Sequence, residues 1–220
     1  MVKEKILRAL DVLLSVKEID QVIVVDDGST DQTAAVARQT GATVLQLEKN
    51  VGKASAMRKG VQATDADIIL FCDADVLGFK KEHALALLEP IIKGSVVMAE
   101  GIRDRWFGLP KLMDRLFPVM FAICGERAVR RFVFMDVPET YIDNMTDGIV
   151  MNYYCHVNKL PVAFIPLQGL DVIVKEKKYG LWKGLFYRFK MVLEFIKIRI
   201  IIGLHKKEFI KTYVQKNYIR

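Results

Sequence analysis

Gln21-Val22-Ile23-Val24-Val25-Asp26-Asp27-Gly28-Ser29 is the stretch on which the fold turns. Its β-branched run from Val22 to Val25 is too short for a helix and suits a strand buried on both faces, the kind found inside parallel sheets. The run breaks at two carboxylates and a glycine. Ser29 followed by Gln32 has capping-box spacing, so a helix is predicted from there to about Gln39. Asp67-Ile68-Ile69-Leu70-Phe71 repeats the arrangement as another buried run, and it too stops at carboxylates, Asp73-Ala74-Asp75.

The segments around these two runs complete an alternating pattern. A helical stripe occupies 4–17, Thr43–Leu47 reads as a strand, and helices are predicted over 53–63 and 83–93 with a strand at Ser95–Ala99. Strand–helix–strand–helix–strand predicts an α/β fold, a mostly parallel sheet flanked by helices with right-handed crossovers. From Pro110 through Arg131 the pattern turns helical and aromatic. A helix over 147–158 and a strand at Val162–Ile165 leading into Pro166 follow. Beyond Gly180, Leu181, Leu185, Phe189, Val192, Phe195, Ile196 and Ile200 recur at about helical spacing among basic residues. The expected organisation is a domain over 1–179 and a basic amphipathic helical tail over 180–220.

With 52% apolar and 27% charged residues among 220, the chain is a folded domain rather than a disordered tail or fibre. It has no uncharged apolar run of about 18 residues, so no ordinary membrane span is expected. Met1–Asp20 is charged throughout, unlike a signal peptide. Cys72, Cys124 and Cys155 lie far apart and fit neither a disulfide framework nor a zinc site, which suits a reducing cytosol. The net charge of +7 is unevenly spread: residues 175–220 carry 13 Lys/Arg against three acids, leaving −3 for residues 1–174. That asymmetry argues against nucleic acid. It favours an anionic membrane surface met by residues 180–220, and hence a peripheral place on the inner face of a membrane. Burial of the tail against the domain is the competing reading.

Both acidic clusters fall just past strand ends, where open parallel sheets place their ligands. In Asp73-Ala74-Asp75 the outer carboxylates can converge on a hard cation, with a nucleotide diphosphate supplying further oxygens. Two close carboxylates without a cation would repel. The plain alternatives are a turn with a helix cap at Asp26-Asp27 and a polar strand end at Asp73-Asp75. Asn50-Val51-Gly52-Lys53 precedes a helix, yet Leu47 and Ala54 stand where a phosphate loop needs Gly and Ser/Thr. Lys53 is therefore either a donor-phosphate contact or a solvated lysine. His83, His156 and His205 lack metal-pair spacing and read as structural or exposed.

VIVVDDGSTD (22–31), EKNVGKASAMRKG (48–60) and ADIILFCDAD (66–75), in this order, resemble family 2 glycosyltransferases of the GT-A nucleotide-diphospho-sugar transferase fold. Polyprenyl-phosphate hexosyltransferases and glucosyl-phosphoglycerate synthases are the nearer branches. The resemblance implies a UDP- or GDP-sugar donor whose base meets Asp26 and Asp27 in the turn with Gly28 and Ser29. It implies Asn50 and Lys53 near the donor, and Mg²⁺ or Mn²⁺ on Asp73 and Asp75. It implies an acceptor-side segment at Gly125-Glu126-Arg127, with Arg127, Arg130 and Arg131 toward an anionic acceptor such as a polyprenyl phosphate. Asp147 is the implied base of an inverting transfer, with Asp143 second and a helix cap as the plain alternative. Asp171 stands where many relatives carry a metal-ligating histidine, and Lys175 belongs to the segment that closes over the diphosphate.

One departure matters. Relatives open with a strand that is central in the sheet, and this sequence begins at the helix after it. The expectation is a fragment, or a strand supplied by another segment or chain, and a 220-residue form that is poorly active and prone to self-association. A catalytically inactive GT-A-like binding or scaffold domain is the rival reading, and a nucleotidyltransferase is weaker still.

Overall fold

Helix α1 (Val2–Leu14) leads to β1 (Ile23–Asp26), and α2 (Thr33–Arg38), β2 (Thr43–Gln46), α3 (Lys53–Gln62) and β3 (Ile68–Phe71) follow in strict alternation. This computed structural model describes residues 2–103, 125–144, 147–170, 193, 197, 200–201 and 203–211. Then come α4 (Lys81–Ile92), β4 (Met98–Arg103), β5 (Arg127–Arg130), α5 (Arg131–Asp136), α6 (Glu139–Asn144), α7 (Asp147–Val157), β6 (Val162–Leu167) and the short α8 (Lys206–Phe209).

Three local expectations need correcting. Gln32, not Ser29, caps α2: the Ser29 N–H donates to Asp26 at 3.2 Å, and the Asp31 carboxylate takes the Thr33 N–H at 2.9 Å. The strand expected at 95–99 starts at Met98 and runs to Arg103, because the Ser95 hydroxyl and N–H both turn back to the Pro90 carbonyl. The helical reading through Arg131 fails at Arg127–Arg130. That segment is a strand in the middle of a sheet, where pairing on both flanks overrides local propensity. Pro166 lies within β6, an edge strand that tolerates a residue without an N–H.

The sheet is split. β1 pairs in parallel with β2, whereas β3, β5, β4 and β6 form a second sheet in which β5 is antiparallel to both neighbours. The Val22 and Asp26 carbonyls accept the N–H groups of Thr43 and Leu47 on the β2 side, and the Asp67 carbonyl accepts that of Arg131, just past β5. Strand alternation then turns the backbone groups of Ile23 and Val25, and of Ile68 and Leu70, to the other flank. No hydrogen bond from another described residue reaches them there.

Two helices hold the halves together across this flank. On one face α1 buries Ile6 and Leu10 with Val22 and Val24, and Ala9 with Ile68 and Leu70. On the other, α3 sets Gly60 against the Val25 side chain and Met57 and Val61 against Ile69 and Phe71. Ile23–Val25 of β1 and the whole of β3 are consequently only half-buried, whereas Met98, Ala99, Ala128 and Val129 in the interior of the second sheet are fully buried.

The described end of the tail folds back on the domain. Phe209 is fully buried and stacks near Tyr141 and edge-on to Tyr153. The Asn158 carboxamide donates to the Phe209 carbonyl at 2.7 Å and accepts the Lys211 N–H at 2.8 Å. Glu208 accepts from Tyr141, and its carboxyl is held below the usual range by His205 first and Tyr141 second. Upstream, Leu193, Ile200 and Leu204 are helical and exposed.

In an amide hydrogen-exchange measurement, Ile23, Val25, Ile68 and Leu70 are expected to exchange at least tenfold faster than Val129, whose N–H lies inside the second sheet. Equal protection would mean that the flank is closed.

Candidate functional site

Strand direction collects the two acidic segments singled out in the sequence on one edge. The Asp27 carboxylate, just past β1, accepts the backbone N–H groups of Val51 and Gly52 at 2.7 and 2.9 Å. The next residue, Lys53, reaches Asp73 past the end of β3, with Nζ 2.8 Å from Oδ1. The ends of β1 and β3 therefore lie side by side, joined by the loop 50–53. Gly28 makes this possible: its φ is +74°, and a Cβ there would fall 2.7 Å from the Asn50 nitrogen.

Asp26 is 4% exposed, and its Oδ2 has no hydrogen-bond partner among the described residues, while Oδ1 takes the Ser29 N–H. Beside this turn a shallow cleft is lined by Gly28, Ser29, Thr30, Gln46, Leu47 and Glu48. Its position at the ends of β1 and β2 is that of a ligand site in an open α/β sheet.

Antiparallel pairing brings the start of β5 to the same edge, since Arg127 sits opposite Phe71. The Gly125 backbone rests directly on the Asp73 carboxylate, so a Cβ at 125 would overlap it. Next along the strand, the fully buried Glu100 and the 2% exposed Arg127 are cross-strand partners 3.4 Å apart, and Asn152 of α7 donates to Glu100 at 2.6 Å. The Arg127 guanidinium packs on Gly148, in the first turn of α7. This buried charge network anchors the helix that Asp147 opens; the Asp147 side chain lies outside the described residues. Burial, then the Glu100 charge, pushes the Cys155 thiol well up, so Cys155 is an inert part of this core.

Arg130 and Arg131 are placed elsewhere. Arg130 pairs with Ile68 at the far end of β3 and donates to the Ile91 carbonyl at 3.1 Å, and Arg131 donates to the Val61 carbonyl at 3.5 Å. Both cations sit at helix C-termini, where the dipole favours them, on the edge opposite the acids. Arg127 is likewise enclosed, so the expected acceptor-facing arginine cluster is not what these three residues form. His83 is structural, as expected. Its Nδ1 accepts the Lys80 N–H at 3.2 Å, which leaves the proton on Nε2 to donate to the Gln168 carbonyl at 3.0 Å. Asp171 and Lys175 lie outside the described residues.

Asp75 is exposed beside Asp73. Among the described residues no group of three His, Cys, Asp or Glu side chains converges, so a cation here would draw on two carboxylates and on oxygens of a ligand. The donor set nevertheless fits: carboxylate oxygens suit Mg²⁺ and Mn²⁺, and Asp73 is already in contact with a cationic group, Lys53.

The model of glycosyl transferase family 2 matches residues 2–138. The chain belongs to this family. It is similar to the poly-beta-1,6-N-acetyl-D-glucosamine synthase of Staphylococcus aureus, at 24% identity over 188 residues, 76% of this chain and 46% of that protein. A 72-residue stretch is 43% identical to the 4,4'-diaponeurosporenoate glycosyltransferase of the same species, covering 30% of this chain and 19% of that one. The chain thus spans under half the length of these relatives. Among solved structures, glucosyl-3-phosphoglycerate synthase of Mycobacterium tuberculosis superposes with a TM-score of 0.60 at 23% identity, over 76% of this chain and 66% of that one. A complex of that synthase with Mn²⁺, UDP-glucose and phosphoglyceric acid matches with a TM-score of 0.60 at 22% identity, covering 74% and 65%. The likeness shows a GT-A-like fold, in agreement with the sequence.

Proposed function

We propose that this glycosyltransferase domain moves a hexose from a UDP- or GDP-linked donor to a phosphorylated or hydroxyl acceptor, with inversion. The observation that carries the reading is the joining of Asp27 and Asp73 through the loop 50–53 on a single sheet edge. The base lies against the cleft beside Asp26, whose buried Oδ2 would accept an N–H of uracil or guanine. Asp73 and Asp75 would hold Mg²⁺ or Mn²⁺, which supplies charge neutralisation for a departing diphosphate. Asp147, at the start of α7, takes the proton of an acceptor hydroxyl as its oxygen bonds the anomeric carbon and the bond to the diphosphate breaks. A phosphate acceptor is already anionic and gives up no proton. The Mn²⁺, UDP-glucose and phosphoglyceric acid in the mycobacterial synthase support the donor, metal and acceptor classes.

Calorimetric titration with UDP-, GDP- and CDP-sugars, with and without Mn²⁺, tests this. Binding of a UDP- or GDP-sugar is expected to strengthen at least tenfold with Mn²⁺, and to lose that gain in Asp75→Ala and in Gly125→Ala, whose methyl would overlap the Asp73 carboxylate. Tight binding indifferent to metal would favour a non-catalytic binding domain.

A membrane-facing tail suits a lipid-linked acceptor. Leu193, Ile200 and Leu204 are exposed, as is Lys197, which supports contact with anionic lipid upstream of the docked Phe209. Self-association through the open flanks of β1 and β3 is the companion proposal; its mark is exchange protection at Ile23, Val25, Ile68 and Leu70 that grows with protein concentration. Flotation with anionic liposomes is expected for the full chain and not for Leu193→Glu/Leu204→Glu. Equal flotation of both, or of neither, would end the membrane reading.

A further inference from the structure

We propose that Lys53 competes with the divalent cation for Asp73, so that the metal binds well only when a diphosphate draws the lysine away. The proposal rests on the reading of Asp73 and Asp75 as the metal-holding pair and assigns Lys53 a role in the order and coupling of binding. Three observations carry it.

The first is the contact itself, Nζ to Oδ1 at 2.8 Å. An oxygen engaged by an ammonium at that distance offers a cation less than a free one does. The second is restriction of the carboxylate. Asp73 is backed by the Gly125 chain and its side chain is 28% exposed, so it has little room to turn from the lysine. The lysine, 61% exposed on a four-carbon stem, is the partner that can leave. The third is the place of Lys53 as first residue of α3. The helix dipole disfavours a cation at that end, and Lys53 gains from whichever anion lies nearest: Asp73, or the diphosphate of a donor held beside the same loop.

The consequence is linkage. A diphosphate that attracts Lys53 frees the Asp73 oxygen, and by reciprocity the metal then tightens the nucleotide by the same factor. An ion pair this exposed is weak, so relief of the competition is worth about two- to fivefold in metal affinity.

Mn²⁺ titration followed by electron paramagnetic resonance, with and without UDP, reads this directly in the native chain, Lys53→Met and Lys53→Arg. Without UDP, Lys53→Met is expected to bind Mn²⁺ about two- to fivefold more tightly than the native chain, while Lys53→Arg stays near native. Addition of UDP is expected to tighten Mn²⁺ binding more in the native chain than in Lys53→Met. Unchanged or weaker binding by Lys53→Met without UDP, alongside UDP-dependent Mn²⁺ binding by the native chain, would overturn the competition and leave the metal site standing. No Mn²⁺ binding by any of the three with UDP present would overturn the metal site and this proposal together.

Discussion

Carboxylates at neighbouring strand ends need N–H or cationic partners, and the structure depends on how that need is met. The loop Asn50–Lys53 meets it twice. Two backbone N–H groups at the start of α3 hold Asp27, and one residue later the Lys53 ammonium holds Asp73. The close approach of Gly28 to the Lys49–Asn50 backbone, and the left-handed Gly52 that releases the chain into α3, exist to make this bridge. Because the loop reaches both strands, it also sets the spacing between their acidic ends.

The opposite side of that site is organised by burial rather than by exposed charge. Glu100 and Arg127 form an ion pair inside the second sheet, a costly arrangement unless its remaining hydrogen-bonding capacity is used. Asn152 uses part of it, and Gly148 leaves room for the guanidinium against the first turn of α7. The network thereby ties the strand that backs Asp73 to the helix that begins at Asp147. Against this half stands the flank between β1 and β3, where apolar strands are held side by side by α1 and α3 without backbone pairing among the described residues.

Much of this was legible in the residues. Runs such as Val22–Val25 and Ile68–Phe71 announce strands because no helix of that length would be stable, and their terminal acids announce a sheet edge. The resemblance pointed to a missing central strand, but not to the outcome seen here, two separate sheets joined by helices. β5 was not legible: Arg-Ala-Val-Arg has no decisive pattern, and its strand geometry comes from neighbours distant in sequence. The same holds for Arg130 and Arg131. Their charge suggested an anionic ligand, but register alone decides which edge they reach, and it sends them to helix C-termini. Glu100 carried a usable signal, an acid directly after the apolar run Val96–Ala99, and an opposite charge on a paired strand would have completed it.

A crystal structure of the chain with Mn²⁺ and UDP-glucose tests the central claim most directly. The account predicts the uracil against Asp26 and the Gly28–Thr30 turn, the ion on Asp73 and Asp75, and Lys53 moved from Asp73 to a diphosphate oxygen. A nucleotide bound away from both strand ends, with the Lys53–Asp73 contact intact and no ion on the two aspartates, would contradict it.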